Sequence, residues 1–444
     1  MLLFNFVQNL QFNQVPEKSR ALIKTSLMDI VGVLAGAKKN QTSDNIRHFA
    51  AEHYPANKLS CRLLFDGRHV SPLGAAWAGG FSADSLDAHE GHFTSKGHAG
   101  ATVIPALLAI ADACHERGRN ITGEEFLVAV TIAYETALRA GVALMDSASE
   151  YHASGAFSGL GVVCGGARLL GLNQEEFQHA LGIAEYFGPR CPMMRLVDFP
   201  SMLRDAHGAG AYAGVNALFM AQAGITGAPA ETVEKNRLSH CWNDLGTRWE
   251  IDAQYFKPWP VCRWAQPALT AVTSMMRHSP EITSANIESV KVETFHESMR
   301  LQGHFPKNAD EAQYGLAFPL AALISRGQVG PNEVTGDAIQ AEDILQVSRL
   351  IEITEAQDLS DRFPEEILSR VSIQLKDGRC LTSPITQAKG DPETAMSQAE
   401  FKAKFDLLAS VNFSQERMDS ILNAIKTLEQ VKNCEALFNQ LMSP

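Results

Sequence analysis

Apolar residues recur at helical spacing through most of the first 266 positions of the chain. Segment 17–37 (EKSRALIKTSLMDIVGVLAGA) carries apolar residues at this spacing and ends in small residues. Gly171-Leu172-Asn173, just before Gln174, is typical of one helix ending and another beginning. Few runs alternate between apolar and polar residues, as strands do. The pattern therefore predicts an almost wholly α-helical region, with helices at about 17–37, 102–117, 123–145, 156–171, 174–187 and 208–224.

The pattern changes after Pro267. One further helix is predicted at 268–278, and the segment VKVETFHES (290–298) then alternates as a strand does. The segment SRVSIQLKDGRCLTSPI (369–385) predicts a β-hairpin with Asp377-Gly378 at its turn. Between them lies a helix that carries Ala317, Leu320, Ala321 and Leu323 on one face.

Helical spacing returns at Ser397 and continues towards the end of the chain. The order of elements predicts a mainly α protein with two domains. We expect a large all-helical, discontinuous domain from residues 1–266 and 396–444. Residues 267–395 are expected to form a smaller α+β domain.

Composition and charge exclude some partners. Lys and Arg total 38 against 50 Asp and Glu, a formal net charge of −12, so a nucleic-acid backbone is not an expected partner. A few local cations can still form a site for a small anion. The start of the chain has no basic region or small-residue cleavage site, and the uncharged run 206–230 has few bulky apolar residues. We therefore expect neither a signal peptide nor a membrane span.

Cysteine usage and missing motifs narrow the chemistry further. The eight cysteines are scattered without a CxxC pair, which is typical of free thiols in a reducing cytoplasm. The sequence has no GxGxxG after a strand, no GxxxxGK[ST] and no GxSxG. Neither a nucleotide cofactor nor an α/β-hydrolase nucleophile is therefore indicated.

The densest polar segment runs from Asp84 to His98. Its fifteen residues include two Asp, one Glu, three His and one Lys, and an apolar helix follows. Such a mixture supplies acids and bases near neutral pH together with a cation for a carboxylate. Two other interpretations compete: a polar surface loop and a metal site. The metal ligands would be His89, His92 and His98, with Asp84 or Asp87.

Two further segments carry candidate binding residues. Tyr151-His152 precedes a helix of small residues, where the histidine either caps the helix, packs in the core or belongs to a site. Arg190, Arg195 and Arg204 lie beside apolar residues, where an arginine either forms a structural ion pair or clamps a carboxylate with two hydrogen bonds.

A last segment, KPWPVCRWAQP (257–267), contains Arg263 and Gln266 and predicts a shaped loop at the domain boundary. Ligand pockets concentrate at such boundaries. Cys262 fits a buried thiol better than a nucleophile, because no histidine is near it in sequence.

These segments, in this order, resemble the MmgE/PrpD family over nearly the whole chain. Residues 84–105 resemble its D-x-D-D-T-H … H-P-x-x-x-x-x-P-A-L signature, and YHASGAFSGLGVVCGGARLLGL resembles its second, glycine-rich stretch. ALGIAEYFGP, KPWPVCRWAQPA, DEAQYGLAFPLAALI and KGDPETAMSQAEFKAKF are family-like as well. Six weak motifs in the same order are specific when taken together.

The resemblance implies a helical domain, a smaller α+β lid and an active site in the cleft between them. It also implies a homodimer that works without a metal or an organic cofactor. Members of the family include 2-methylcitrate dehydratase, cis-aconitate decarboxylase and iminodisuccinate epimerase. Their shared chemistry is proton transfer next to a carboxylate.

By the resemblance, Asp84 matches the first active-site aspartate of the family. His98 matches the histidine of its H-P or H-A step, and His152 matches the histidine before the second small-residue helix. This chain departs from the family pattern in three places. It has Ala88 where cis-aconitate decarboxylase has threonine, Leu203-Arg204 where many members have a lysine, and Gln266 where several have a histidine.

We therefore expect His98 and His152 to be the acid/base pair, with Asp84 orienting one imidazole. Lys96, Arg204 and Arg263 are expected to hold the carboxylates of a small anionic substrate. The other substrate-binding residues are expected to be Asp87, His89, His92, Tyr151 and Gln266.

The expected activity is that of a cofactor-independent hydro-lyase or isomerase acting on a di- or tricarboxylic acid. One alternative is an epimerase or racemase of an amino-dicarboxylate such as iminodisuccinate. The other is a carboxylate-binding homologue that has lost the chemistry.

Overall fold

Buried apolar side chains form two main cores in the computed structural model, which describes residues 2–444. The larger core is built from residues 3–251 together with 405–442. The smaller core is built from residues 261–375, with additions from 153 and 193–197. The chain is mostly helical with one small sheet, so the mainly α prediction is confirmed. The domain boundaries at 267 and 395 stay a prediction.

The larger core is a set of packed helices whose starts carry recognisable caps. Thr122 accepts a hydrogen bond from the backbone of Glu125 at 3.1 Å, and Asn173 forms a capping box with Glu176. The six helices that periodicity predicts are confirmed, and five further helices (α1, α3, α4, α9 and α11) are added to them. The helices are α1 Leu2–Asn9, α2 Glu17–Ala37, α3 Gln41–His53, α4 Pro72–Asp84, α5 Gly100–Glu116, α6 Gly123–Ser147, α7 Gly155–Leu170, α8 Gln174–Phe187, α9 Met194–Asp198, α10 His207–Gln222 and α11 Glu231–Glu234.

Small residues let α4, α7 and α10 pack closely together. A Cβ added at Gly210 of α10 would lie 2.8 Å from the Cα of Gly155 in α7. A Cβ added at Gly80 of α4 would lie 2.7 Å from the Cα of Gly208. Such distances leave no room for a side chain, so these glycines set how closely the helices approach.

The smaller core packs against one mixed sheet. Two short strand pairs lie apart from this sheet, β1 with β2 and β3 with β4. The strands are β1 Cys61–Arg62, β2 His69–Val70, β3 Gly91–His92, β4 Gln254–Tyr255, β5 Ile287–Thr294, β6 Ile351–Glu355, β7 Leu368–Leu375, β8 Cys380–Thr382 and β9 Thr386–Gln387. The main sheet has the order β6-β5-β7-β8, with β9 also paired to β7. Strand β5 runs parallel to β6 and antiparallel to β7.

Burial along β5 and β7 alternates, as a sheet with one covered face requires. The predicted hairpin is confirmed: Gln374 of β7 faces Cys380 of β8, and Gly378 has a φ of 90° at the turn. Strand β6 is not among the predicted strands, although its five residues alternate in burial. Six helices belong to this region: α12 Gln266–His278, α13 Ala309–Gln313, α14 Ala317–Arg326, α15 Pro331–Val334, α16 Glu342–Ser348 and α17 Gln357–Ser360.

Three last helices, α18 Gln398–Ala409, α19 Gln415–Lys426 and α20 Glu435–Met442, return to the larger core. Lys404 of α18 is buried there. Its Nζ donates to Asp29 of α2 at 2.5 Å and to the carbonyl of Ala88 at 2.7 Å. This contact ties the end of the chain to the polar segment that begins at Asp84.

Within residues 2–444, one helix, α6, is long and apolar enough to cross a membrane by length and composition alone. Of its most apolar 18-residue window, 94% is buried inside the protein. The burial of α6 fits a helix in the core of the fold.

We predict that Lys404→Met lowers the free energy of unfolding by about 3–5 kcal/mol, because it leaves the buried carboxylate of Asp29 without its partner. Urea unfolding measures the effect. The matched control is Lys402→Met, which removes an exposed pair with Asp406 on the same helix and should change stability by less than about 1 kcal/mol. Equal effects of the two variants would contradict a structural role for the buried pair.

Candidate active site

A cavity of about 690 Å³ lies where the two cores meet. Residues from the larger core line one side of it, among them the 92–98 segment and the end of α6. Residues from the smaller core, including the segments near 193–197 and 262–264, line the other side. The polar segment predicted from the sequence therefore faces the boundary loop 257–267 across one cavity.

The loop that carries His98 is held by backbone pairing. Strand β3 (Gly91–His92) pairs antiparallel with β4 (Gln254–Tyr255), and a bridge joins His92 to Gly97. Lys96 takes a positive φ of 49° inside this tight turn. The pairing fixes the backbone on both sides of the turn, so His98 enters the cavity from an ordered loop.

His98 has one bound and one free ring nitrogen. Its Nδ1 lies 2.6 Å from the carbonyl of Glu90. Because a carbonyl oxygen only accepts, Nδ1 must carry the proton and Nε2 is left with the lone pair. Burial and then the nearby Lys257 lower the pKa of His98 to about 4. The ring is therefore neutral near pH 7, with Nε2 as a base.

Asp87, Lys257 and Tyr314 form a buried group in the cavity wall. The Nζ of Lys257 lies 3.0 Å from Oδ1 of Asp87, and the hydroxyl of Tyr314 donates to the same oxygen at 3.4 Å. Lys257 comes from the boundary loop and is only 1% exposed. A buried cation held by one carboxylate can still attract a second carboxylate from a ligand.

Arg263 offers unused hydrogen-bond donors in the same wall. One terminal nitrogen binds Asp391, and the guanidinium lies 4.3 Å from the centre of the Tyr255 ring. Its Nε and Nη1 are buried and find no hydrogen-bond partner among residues 2–444. Buried donors without a partner are rare because they lose their bonds to water, so Arg263 is suited to bind an anion that enters the cavity.

A second layer of ionisable groups lies behind His98. The ring of His89 contacts those of His98 and His207, with ring centres 4.5 and 5.0 Å away. Nε2 of His89 lies 3.5 Å from Oδ1 of Asp84, so the imidazole nearest to Asp84 is that of His89. Burial raises the pKa of Asp84 to about 7. Burial also lowers the pKa of His207, but Asp84 and Asp205 outweigh it and raise that pKa.

Two groups of side chains in residues 2–444 bring three possible metal ligands together. One is Asp84, His89 and His207, whose ligand atoms lie within 4.8 Å of one another. The other is Asp146, His240 and Cys241. The set considered from the sequence, His89, His92 and His98, is not brought together in this way. His92 turns instead towards Glu250, at 3.3 Å.

The structure brings several of the predicted site residues to the cavity and places others elsewhere. Asp87, His92, Lys96, His98, Tyr151 and Arg263 line it. Asp84 and His89 are buried behind it. His152 is half-buried and is not one of the lining residues within the described chain, so its acid/base role stays a prediction.

Arg204 holds protein groups rather than facing the cavity. Its Nε donates to Asp310 at 2.8 Å, and its two terminal nitrogens donate to Gln313 at 2.7 Å and to the carbonyl of Asp84 at 3.0 Å. The structure also separates it from its neighbour, since Leu203 is 69% exposed. Of Leu203 and Arg204, which stand where many family members have a lysine, Arg204 is therefore the buried cation. It links the two cores.

Gln266, like Arg204, bonds to groups of the protein itself. Its side-chain nitrogen donates to the carbonyls of Trp259 and Val261 at 3.0 and 2.9 Å. These bonds shape the boundary loop from which Lys257 and Arg263 reach the cavity. The amide therefore acts on the loop rather than at the cavity wall.

His92 is positioned through a buried network. Burial raises the pKa of Glu250, but His92 and Arg248 outweigh it and lower that pKa to about 2. Arg139 donates to the carbonyls of Cys241 and Arg248, at 2.6 and 2.7 Å. The loop that carries Glu250 is thereby fixed against α6.

The sequence interpretation does not single out Lys257, Tyr255, Tyr314 or His207. Lys257 had a visible signal, because it stands in an apolar, proline-rich boundary segment. Tyr314 lies in the family-like segment DEAQYGLAFPLAALI, but nothing in that segment singles out the tyrosine. Tyr255 and His207 had no signal, since each comes from a distant part of the chain and reaches the site only on folding.

We predict that Arg204→Lys destabilises the contact between the cores, because an ammonium group cannot satisfy three acceptors spread around a planar guanidinium. The expected loss is about 2–4 kcal/mol of unfolding free energy, measured by calorimetry. The control is Arg195→Lys, an exposed arginine in α9, which should leave the unfolding temperature within about 1 °C. A stable Arg204→Lys protein would contradict the linking role.

Comparison with known proteins agrees with the geometry. The family model of the MmgE/PrpD N-terminal domain matches residues 2–247, and that of the C-terminal domain matches residues 259–430. A cis-aconitate decarboxylase of Aspergillus terreus is 20% identical over 416 residues, which cover 87% of this chain and 84% of the relative. The human cis-aconitate decarboxylase is 21% identical over 453 residues, which cover 97% and 91%.

A third relative is the cis-aconitate decarboxylase-like protein oryM of Aspergillus oryzae. It is 22% identical over 465 residues, which cover 96% of this chain and 94% of that protein. The two family models together account for more than half of the residues, from the first helix to the last helical region. The chain belongs to the MmgE/PrpD family.

Proposed function

We propose that the protein is a lyase or isomerase that transfers a proton next to a carboxylate of a small di- or tricarboxylic acid. One observation carries the proposal. A neutral imidazole, His98, and a guanidinium with unused donors, Arg263, line the same cavity and both contact Tyr255. A base and an anion receptor are the two groups that this chemistry needs.

The first step uses the free nitrogen of His98. Nε2 removes the proton from the carbon next to a substrate carboxylate, and the electron pair of that C–H bond passes into the carboxylate. The extra negative charge develops on the carboxylate oxygens, where Arg263 can donate hydrogen bonds. A buried cation such as Arg263 stabilises this charge more strongly than it could in bulk water.

The second step needs a proton donor. In a dehydration, a hydroxide leaves the neighbouring carbon and takes a proton, so that water and a carbon–carbon double bond result. The ammonium of Lys257, held by Asp87, is the donor that the cavity wall offers. Burial raises the pKa of Tyr255 and Tyr314 far above 10, so these hydroxyls keep their protons and serve as hydrogen-bond donors.

The named activity of the relatives, cis-aconitate decarboxylation, is one member of the proposed class. Dehydration is our preferred reaction, because Ala88 stands where the resemblance places a threonine in cis-aconitate decarboxylase. Epimerisation of an amino-dicarboxylate needs the same base but no leaving group. The homodimer and the cytoplasmic location stay predictions.

We predict that His98→Gln lowers turnover by about 10²-fold to 10⁴-fold, the usual contribution of a general base. The assay incubates methylcitrate, citrate, cis-aconitate, tartrates and iminodisuccinate with the protein in D2O and follows proton NMR. New olefinic signals indicate dehydration, and exchange of the α-hydrogen alone indicates epimerisation.

The exposed His48 of α3 supplies the matched control for this assay, and His48→Gln should keep full turnover. His152→Ala tests the predicted acid/base pair: loss of turnover would support it, and retained turnover would remove His152 from the chemistry. Full turnover by His98→Gln would contradict the proposal.

We also predict that His98 stays neutral well below the pH at which an ordinary imidazole gains its proton. NMR of ¹⁵N-histidine protein, assigned by comparison with His98→Gln, should show an Nδ1–H ring that is still neutral at about pH 5.5. The folded state therefore binds fewer protons than the unfolded state below about pH 6.5, and this group lowers stability as the pH falls towards 4. A ring that gains its proton at pH 6 to 7, or an Nε2–H tautomer, would contradict the assignment.

A further inference from the structure

The walls of the cavity are polar in its interior and largely apolar near its mouth. The polar groups that the proposed reaction uses are all deeply buried. Asp87, His98, Lys257, Arg263 and Tyr314 are each at most 8% exposed. The carboxylates of a substrate must therefore reach the inner end of the cavity to meet these groups.

The outer walls are largely apolar. Phe93 is 44% exposed, and Val142, Met145, Met194 and Phe363 are half-buried. They come from segments far apart in the chain, namely the 92–97 turn, α6, α9 and the 363–367 segment. Folding has therefore assembled an apolar surface that continues outwards from the polar interior.

Charged side chains also lie at the mouth, but they are paired with each other or exposed to water. Asp146 pairs with His240 at 2.7 Å, and Arg300 is bound to Asp198. Lys96 and Glu297 also line the cavity and are exposed and half-exposed. Water solvates these groups, so a ligand that lies along the outer walls meets mainly carbon and sulfur.

The size of the cavity fits a ligand larger than an unsubstituted citrate-sized acid. Its volume of about 690 Å³ lies within the range of about 300–1,000 Å³ that is typical of pockets for drug-sized ligands. A small polycarboxylate would occupy mainly the inner part, because the buried cations Lys257 and Arg263 lie there, whereas the cations at the mouth, Lys96 and Arg300, are exposed to water. The outer part would then remain apolar surface in contact with water.

We propose that the substrate is a di- or tricarboxylic acid that carries an extended apolar substituent. Its carboxylates bind at Arg263 and Lys257, and its apolar chain lies along Met145, Met194 and Phe363. Methionine suits such a wall, because its flexible and polarisable side chain adapts to different shapes. This inference rests on the proposed function, since it extends the ligand that the same site binds.

The test measures binding rather than turnover. Succinate and its methyl-, butyl- and hexyl-substituted derivatives are titrated into the full-length protein by calorimetry. We expect Kd to fall with each added methylene by up to about fourfold, the effect of burying one CH2 group. A Kd that does not depend on chain length, with succinate itself bound, would overturn the inference and leave the proposed function standing.

Two variants separate the parts of the site. Met194→Glu should abolish the gain from the alkyl chain and leave the Kd of succinate unchanged within about twofold, because only the outer wall is altered. Arg263→Gln should weaken all four ligands alike. If no ligand binds the unaltered protein, or if Arg263→Gln has no effect, the carboxylate site of the proposed function fails as well.

The control variant is Phe199→Gln. Phe199 is an exposed apolar residue next to α9 and does not line the cavity in the described structure. It should leave the whole series unchanged. A chain-length effect that disappears in Phe199→Gln but persists in Met194→Glu would place the alkyl chain on the outer surface and overturn the inference.

Discussion

The buried guanidinium of Arg204 is the contact on which the site depends. It joins the carbonyl of Asp84, at the end of α4, to Asp310 and Gln313 beside the smaller core. A charge in this position is stable only when its donors are satisfied by well-placed acceptors. The two cores are therefore held in one relative position at the point where the cavity forms, and the 84–98 segment faces the boundary loop.

The burial of the ionisable groups determines which of them are charged. Burial favours the uncharged forms of several groups: it lowers the pKa of His98 to about 4 and raises that of Asp84 and Glu90 to about 7. Lys257 and Asp87 form an ion pair in the same wall, with 3.0 Å between Nζ and Oδ1. A neutral base next to a cation suits removal of a proton close to a carboxylate, because the base is ready and the product charge has a partner.

The large elements could be predicted from the sequence because they depend on local spacing. Segment 17–37 reads as one helix and is one, and the Asp377-Gly378 hairpin is formed as expected. Strand β6 is not among the predicted strands although its five residues alternate, because so short a run becomes a strand only through parallel pairing to the distant β5. The same distinction holds at the site: His98, Asp87 and Arg263 carry sequence signals, whereas Tyr314 and His207 reach the cavity region only through packing.

By itself, the sequence determined the helical character of the chain, the position of its sheet-containing part and the concentration of ionisable residues between 84 and 98. It also contained the motifs of the MmgE/PrpD family. Only the tertiary structure decided which ionisable groups meet. It assigned Arg204 to the contact between the cores, brought Lys257 to Asp87 and left Nε and Nη1 of Arg263 without a hydrogen-bond partner among the residues that the structure describes. The reason is physical: side-chain spacing follows from the local backbone, but burial and partner choice depend on segments more than a hundred residues apart.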